Sequence, residues 1–280
     1  MLEVDGVRRR GGLAATWELL RAGSTSHRLT AAVRSGMIVR IRQGWYGLPD
    51  TDGGLESAVR VGGRATSITA ARSLGVAAMP DGRLHVRVKA HAARLRDPSD
   101  RTRRLHSDPD VCVHWRPGGS GTRHAMSAID ALDDMTMCQP VERVVAAADS
   151  AIRLGLVSEA SWLRRIARQP PRLRELLADV DRRSESYLES IMRFRLRRLG
   201  FFPALQVTIP AVGRIDLRLG RLVIELDGWE HHRDRDAFER DRRRDAECLR
   251  QGLIPLRFTS RQLLRDWAWV RGVVESCARL

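Results

Sequence analysis

Residues 214–232 read Arg-Ile-Asp-Leu-Arg-Leu-Gly-Arg-Leu-Val-Ile-Glu-Leu-Asp-Gly-Trp-Glu-His-His. Apolar and polar residues on both sides of Gly220 predict a β-hairpin. Asp216 ends the apolar part of the first strand, Leu222–Asp227 form the second, and Gly228 releases the chain. Side chains alternate along a strand, so Glu225 and Asp227 share a face. Two neighbouring acids repel, and solubility alone does not call for them beside Val223 and Ile224. A divalent cation resolves that repulsion, and hard oxygen ligands suit Mg2+ or Mn2+. The pattern is that of a metal-dependent phosphodiesterase, although Glu-x-Asp taken alone also fits a solvated strand edge.

The flanks extend the pattern. Ser184–Leu199 reads as an amphipathic helix carrying Glu185 and Glu189, closed by Gly200. Phe202–Ile209 reads as a strand and Pro210–Gly213 as a turn. Asp234–Arg250 reads as a charged helix, Leu253–Phe258 as a strand and Ser260–Ala278 as a last helix. The predicted order is helix, three strands, helix, strand, helix.

With those residues in place, about 184–275 resembles the restriction-endonuclease-like superfamily of P-D-(D/E)-x-K nucleases, and within it the branch related to very short patch repair (Vsr) endonucleases. The matching residues are Glu189, Asp216, Glu225-Leu226-Asp227-Gly228, His231-His232, Asp241–Asp245 and Arg257. The resemblance implies a DNA-cutting enzyme using one or two Mg2+ ions. It makes Asp216 the central metal ligand, Glu225 a second, and Glu189 the holder of a water on the metal. The superfamily lysine falls at Asp227, and the only lysine here is Lys89. The Vsr-like branch also lacks that lysine, which leaves His231 or His232 as general base or leaving-group stabiliser. The same loss also fits a nuclease fold kept for binding alone.

Composition sets wider bounds. A chain of 280 residues is expected to hold two or three domains. Its hydrophobic fraction of 43% is ample for packed cores, and no apolar run is long enough for a membrane span. Met1–Gly12 is charged and does not read as a secretory signal. Cys112, Cys138, Cys248 and Cys277 are scattered without zinc-ligand spacing and read as reduced cytoplasmic thiols. The formal charge of +15 and pI near 11.2 suit a polyanion partner such as DNA or RNA. Nearly all of that charge is arginine, which a GC-rich genome also produces.

Near the N-terminus, Leu13–Ala22 reads as a short helix and His27–Ser35 as a second, with Ser24 or Ser26 as its cap. Met37–Arg42 and Trp45–Leu48 read as the strands of a hairpin. Together they predict a winged helix-turn-helix over residues 1–50. The stretch from about 8 to 50, through Arg42-Gln43-Gly44-Trp45-Tyr46, resembles the N-terminal domain of AbiEi-like antitoxins of type IV toxin–antitoxin systems. That resemblance implies autorepressor-type DNA binding and a cognate toxin. His27, Arg28, Thr30 and Arg34 would then face the major groove, with Arg40 and Arg42 on the wing and Arg244 as a further contact in the nuclease-like part. Ordinary exposed arginines on a protein-contact scaffold are the alternative.

Residues 51–170 are expected to form a small α/β middle domain of unclear role. It has a helix at Thr66–Leu74, strands at His85–Lys89 and Val111–Trp115, and an alanine-rich helix at Pro140–Leu156. His106, His114 and His124 are irregularly spaced and suggest no metal site. Gly118–Gly121 lacks the Lys-Ser/Thr of a phosphate loop. A linker at Gln169–Pro171 leads into a nuclease-like domain over 171–280. The expected protein is therefore an α+β, multidomain, Mg2+-dependent DNA endonuclease. Its alternatives are a regulator or antitoxin with a non-catalytic nuclease-like domain, and an RNA-directed enzyme or nucleic-acid binder. Cutting both strands of a duplex would suit a homodimer.

Overall fold

The computed structural model describes residues 2–228 and 235–279. The chain divides into two compact units, Met1–Cys138 and Gln139–Leu280. It is mixed α+β with three small sheets among the described residues. No described helix is long and apolar enough to cross a membrane.

The first unit opens with α1 (Leu2–Arg8), β1 (Leu13–Ala15), α2 (Thr16–Arg21), α3 (Ser26–Arg34), β2 (Val39–Arg42) and β3 (Trp45–Gly47). The three strands form an antiparallel sheet in the order β1-β3-β2. Leu13–Ala15 is a strand where the sequence suggested a helix start, because pairing with β3 buries all three side chains. The Glu18 carboxylate then accepts the Ala15 N–H at 2.8 Å and starts α2. Thr25, between the two serines expected to cap α3, is the residue that accepts from Arg28 N. Leu19, Leu29, Ile38 and Tyr46 close a core beneath these elements.

The unit continues with α4 (Gly53–Val61), β4 (Arg64–Ala65), α5 (Ser67–Ser73), β5 (Leu84–Val88), β6 (Val111–Trp115) and α6 (Ala128–Cys138). β4 pairs antiparallel with β5, and β5 pairs parallel with β6. Gly62 ends α4 at φ +116°, and a Cβ on Gly63 would lie 2.4 Å from the Arg87 carbonyl oxygen, so only glycine fits there. Alanines and valines of β4, β5, β6 and α4 pack under this sheet, with Leu132 and Met135 of α6 buried as well. α6 is fastened across it by Asp134, whose carboxylate accepts from Arg87 at 2.6 and 2.7 Å, from Arg116 at 2.7 Å and from Thr66 at 2.5 Å. Removing one partner of such a buried pair typically costs about 3–5 kcal/mol.

The second unit contains α7 (Val141–Arg153), α8 (Glu159–Ile166), α9 (Pro171–Leu177), α10 (Tyr187–Arg198), β7 (Ala204–Ile209), β8 (Gly213–Leu219), β9 (Leu222–Asp227), α11 (Arg235–Arg250), β10 (Ile254–Thr259), α12 (Ser260–Arg265) and α13 (Trp267–Ala278). α7 packs on α10 through the fully buried Arg193, which donates to Asp149 at 2.8 Å and Asp179 at 2.7 Å. The sheet order is β10-β9-β8-β7. Only the β9–β10 pair is parallel, with α11 within the connection that a parallel pair needs. The single last helix expected from the sequence is broken at Asp266 (φ −133°, ψ 48°), so Leu263 of α12 and Val270 and Val274 of α13 all reach one core.

The β7–β8 hairpin changes faces along its length. Leu205 and Leu217 enter the core under α10 and α13, whereas Val207 and Ile215 enter the opposite core with Cys248 of α11. Strand alternation would put both pairs on the same face, since Leu205 and Val207, like Ile215 and Leu217, are two residues apart. The switch falls at Gln206, whose φ of +52° lies in the left-handed region, and at Asp216, between the same paired positions. A non-glycine residue there costs about 1–3 kcal/mol.

Candidate functional site

The face switch organises a carboxylate cluster. β8 and β9 pair regularly from Leu219↔Leu222 to Leu217↔Ile224. Beyond that point the Asp216 carboxylate, in place of a backbone carbonyl, accepts the Leu226 N–H at 2.9 Å. Glu189 reaches the same place from α10. One of its oxygens accepts from Gln206 Nε2 and from the Glu185 N–H, each at 2.8 Å. Ser186 accepts from Glu189 N, so α10 begins at Tyr187, leaving Glu185 outside the helix to bind Arg214.

Burial dominates the electrostatics. It pushes the carboxyls of Asp216 and Glu189 above their ordinary values, and each is raised further by a neighbouring carboxylate: Glu189 by Asp216, and Asp216 by Asp227. Glu225 is pushed up to about 7 by burial first and the Asp216 charge second. Arg244 of α11 opposes this, donating to Glu225 Oε1 at 2.7 Å while also binding the Val212 and Arg214 carbonyls. Glu189, Asp216 and Glu225 are thus electrically coupled, and Arg244 is the one cation shown bonded to any of their carboxylates among the described residues.

Asp227 ends β9 opposite Thr259 of the parallel strand β10. His231 and His232 lie outside the described residues. Asp241 and Asp245 bind Arg257 of β10, at 3.5 and 3.0 Å, rather than only bracing their own helix. Compared with known proteins, the chain matches no family model and no curated protein.

The residues expected to touch nucleic acid have different surroundings. His27, Thr30 and Arg34 are exposed on α3. Arg28 is exposed but held by Glu3 at 2.9 Å, tying α3 to α1. Arg40 lies against the Tyr46 ring and donates to its hydroxyl at 3.3 Å. Arg42 turns inward, its guanidinium on the Val59 and Arg60 carbonyls at the end of α4. Beside it a cleft of about 730 Å³ carries Arg64, Lys89 and Arg123.

One constellation escaped the sequence reading. His85, Cys112, His114 and Cys138 come together in the first unit, with one ligand atom from each lying within 4.8 Å of all the others. Sequence spacing hides it, since the three contributing segments are more than twenty residues apart. The local trace was Cys112-x-His114 on a strand, which places a thiol and an imidazole on one face. The parallel register then sets His85 beside Cys112, and α6 brings Cys138. Burial holds both imidazoles below their ordinary value, His114 at about 4, so both are neutral near pH 7.

Proposed function

We propose that the protein is a Mg2+- or Mn2+-dependent DNA endonuclease, with a restriction-endonuclease-like core in the second unit and a winged helix-turn-helix in the first. The observation carrying this reading is that half-buried Asp216 raises the carboxyls of both Glu189 and Glu225 beside a strained strand residue, Gln206, although the three carboxylates do not come as close together as the His/Cys group does. Their burial and mutual repulsion favour a cation over bare ionised carboxylates. The donors are hard oxygens, which fit Mg2+ or Mn2+ better than softer metals. Asp216 and Glu225 would hold the ion, with Glu189 alongside. When bound, the ion neutralises charge at a phosphodiester and polarises its phosphorus–oxygen bonds.

The chain's own groups have separable tasks in this reading. Gln206 fixes the direction of Glu189, and the Leu226 N–H fixes that of Asp216. Arg244 supplies a permanent positive charge beside Glu225, where the resembled superfamily has a lysine two residues further on. An arginine remains protonated, so it stabilises charge and does not serve as base. The base would be His231 or His232. DNA is the partner this reading requires, held in part by the exposed face of α3.

A second reading, a DNA-binding regulator or antitoxin with a retired nuclease fold, is favoured by the same side-chain partners. Arg244 already satisfies Glu225, and Gln206 with the Glu185 N–H already satisfies one Glu189 oxygen. One experiment separates the two. Supercoiled plasmid and labelled single strands are incubated with Mg2+ or Mn2+, wild type beside Asp216→Ala. Metal-dependent cutting by the wild type alone supports the nuclease. Tight duplex binding with no cutting of any substrate supports the regulator.

A further inference from the structure

We infer that His85, Cys112, His114 and Cys138 form a structural zinc site in the first unit, separate from the carboxylate cluster. Zinc bonds of about 2.0–2.1 Å to nitrogen and 2.3 Å to sulfur, at tetrahedral angles, put two nitrogens about 3.3 Å apart and a nitrogen about 3.6 Å from a sulfur. Here His85 Nδ1 lies 3.5 Å from His114 Nε2. Cys112 Sγ lies 3.5 Å from His114 Nε2, and Cys138 Sγ lies 3.7 Å from His85 Nδ1. These three separations match three of the six edges of a tetrahedron of zinc size, and the other three are no longer than 4.8 Å.

The surroundings select the ligand atoms. His85 Nε2 faces both oxygens of Asp81 at 3.1 Å. A carboxylate accepts only, so the proton sits on Nε2 and the lone pair on Nδ1 points at the other three ligands. This carboxylate–histidine pairing is the outer-shell arrangement that orients zinc ligands. On the thiol side, the Ser67 hydroxyl lies 3.3 Å from Cys138 Sγ, and Ser67 holds a φ of +47°. A strained, fully buried serine that places its hydroxyl on a sulfur is the kind of local cost a metal-ligand shell repays.

Donor chemistry chooses the metal. Two thiolates and two imidazoles suit zinc and disfavour Mg2+, Ca2+ or Mn2+. Four protein ligands leave no open position, so the role is to hold structure. The ligands join β5, β6 and the last residue of α6. A zinc ion there would contribute folding free energy by tying these three elements together. Both histidines are buried and both thiols partly accessible, which leaves a path for the ion.

The test uses the full chain, purified in reducing buffer without chelator. Elemental analysis should find stoichiometric zinc. Replacement by Co2+ should give the intense visible bands of a tetrahedral ion with thiolate-to-cobalt charge transfer in the near ultraviolet. Cys112→Ser and Cys138→Ser should each weaken that charge transfer and lose zinc to a competing chelator. Cys248→Ser and Cys277→Ser, in the second unit, should change neither signal. Asp81→Asn, which leaves all four ligands in place, should lower zinc affinity by about 10–100-fold. The inference is overturned by a folded wild type without stoichiometric zinc whose Co2+ spectrum is weak and lacks charge transfer. It is equally overturned by a Cys112–Cys138 disulfide in the reduced preparation, or by zinc retained in the Cys112→Ser/Cys138→Ser double variant. Should a cysteine variant fail to fold, the wild-type metal content and cobalt spectrum decide alone.

Discussion

The two clusters differ in every property that governs metal choice. Glu189, Asp216 and Glu225 offer only oxygen, both glutamates are raised by Asp216, and Glu189 is bonded to the strained strand residue Gln206. His85, Cys112, His114 and Cys138 offer nitrogen and sulfur, with three separations at the edge lengths of a zinc tetrahedron and all within 4.8 Å. Oxygen ligands for a hard cation are suited to chemistry on phosphate, and a saturated nitrogen–sulfur cluster to holding elements together. If both proposals hold, one basic chain carries two metal-binding solutions with separate purposes, distinguished by ligand softness and coordination.

The sharpest way to break the comparison is Asp216→Ala. Metal-dependent cleavage should fall by more than about 10³-fold, since the ion contributes several kcal/mol and each tenfold is about 1.4 kcal/mol. Zinc content should stay unchanged. Loss of zinc together with cleavage would mean that the two sites are one functional system, and normal cleavage would remove the carboxylates from the reaction.

Asp134→Ala probes the scaffold of the zinc unit. It strips Arg87 and Arg116 of their shared buried partner, and unfolding in urea should show a loss of about 3–5 kcal/mol. Asp149→Ala should cost the second unit less, because Arg193 loses one carboxylate but keeps Asp179. A loss below about 1 kcal/mol in either variant would show that packing, not the ion pair, fastens that unit.

The oxygen cluster also has a pH signature. In metal-free buffer the Glu225 carboxyl holds its proton more tightly folded than unfolded, up to about 7. Its contribution is therefore fully present below the ordinary glutamate range and is lost as pH rises through about 7, a swing of about 3 kcal/mol at most. Thermal melts with EDTA should show stability falling across that window, with Glu225→Gln flattening the curve. A wild-type curve flat between about pH 5 and 7.5 would show that Arg244 compensates the charge completely.

How much of this was legible follows from sequence distance. Asp216 and Glu225 sit on one hairpin, so alternation and a glycine turn were enough to place them. The helix bearing Glu189 was legible from its amphipathic period, although the Ser186 cap shortens it. Gln206 carried no signal, because a left-handed glutamine is imposed by the packing of two cores and not by its own propensity. Arg244 was expected as a nucleic-acid contact, but the fold of α11 sets it on Glu225 and on the Val212 and Arg214 carbonyls. The nitrogen–sulfur cluster depends on a parallel register between β5 and β6 and on α6 crossing them, contacts that no local pattern encodes.

The smallest expected effect concerns the exposed and the engaged arginines of the N-terminal elements. Arg34 stands exposed on the last turn of α3, whereas Arg42 is folded onto the α4 carbonyls. A cation that contacts a phosphate releases counterions, so losing it lowers the slope of log affinity against log salt by about 0.9. Arg34→Ala should show that change in a duplex-binding titration across salt concentrations. Arg42→Ala should leave the slope nearly intact and instead lower the melting temperature, since it frees two helix-end carbonyls. If Arg42→Ala changes the slope as much as Arg34→Ala does, its side chain leaves α4 when DNA binds, and the cleft beside it becomes part of the nucleic-acid surface. If neither variant changes the slope, α3 and its wing do not face DNA, and the positive charge that draws the duplex lies elsewhere on the chain.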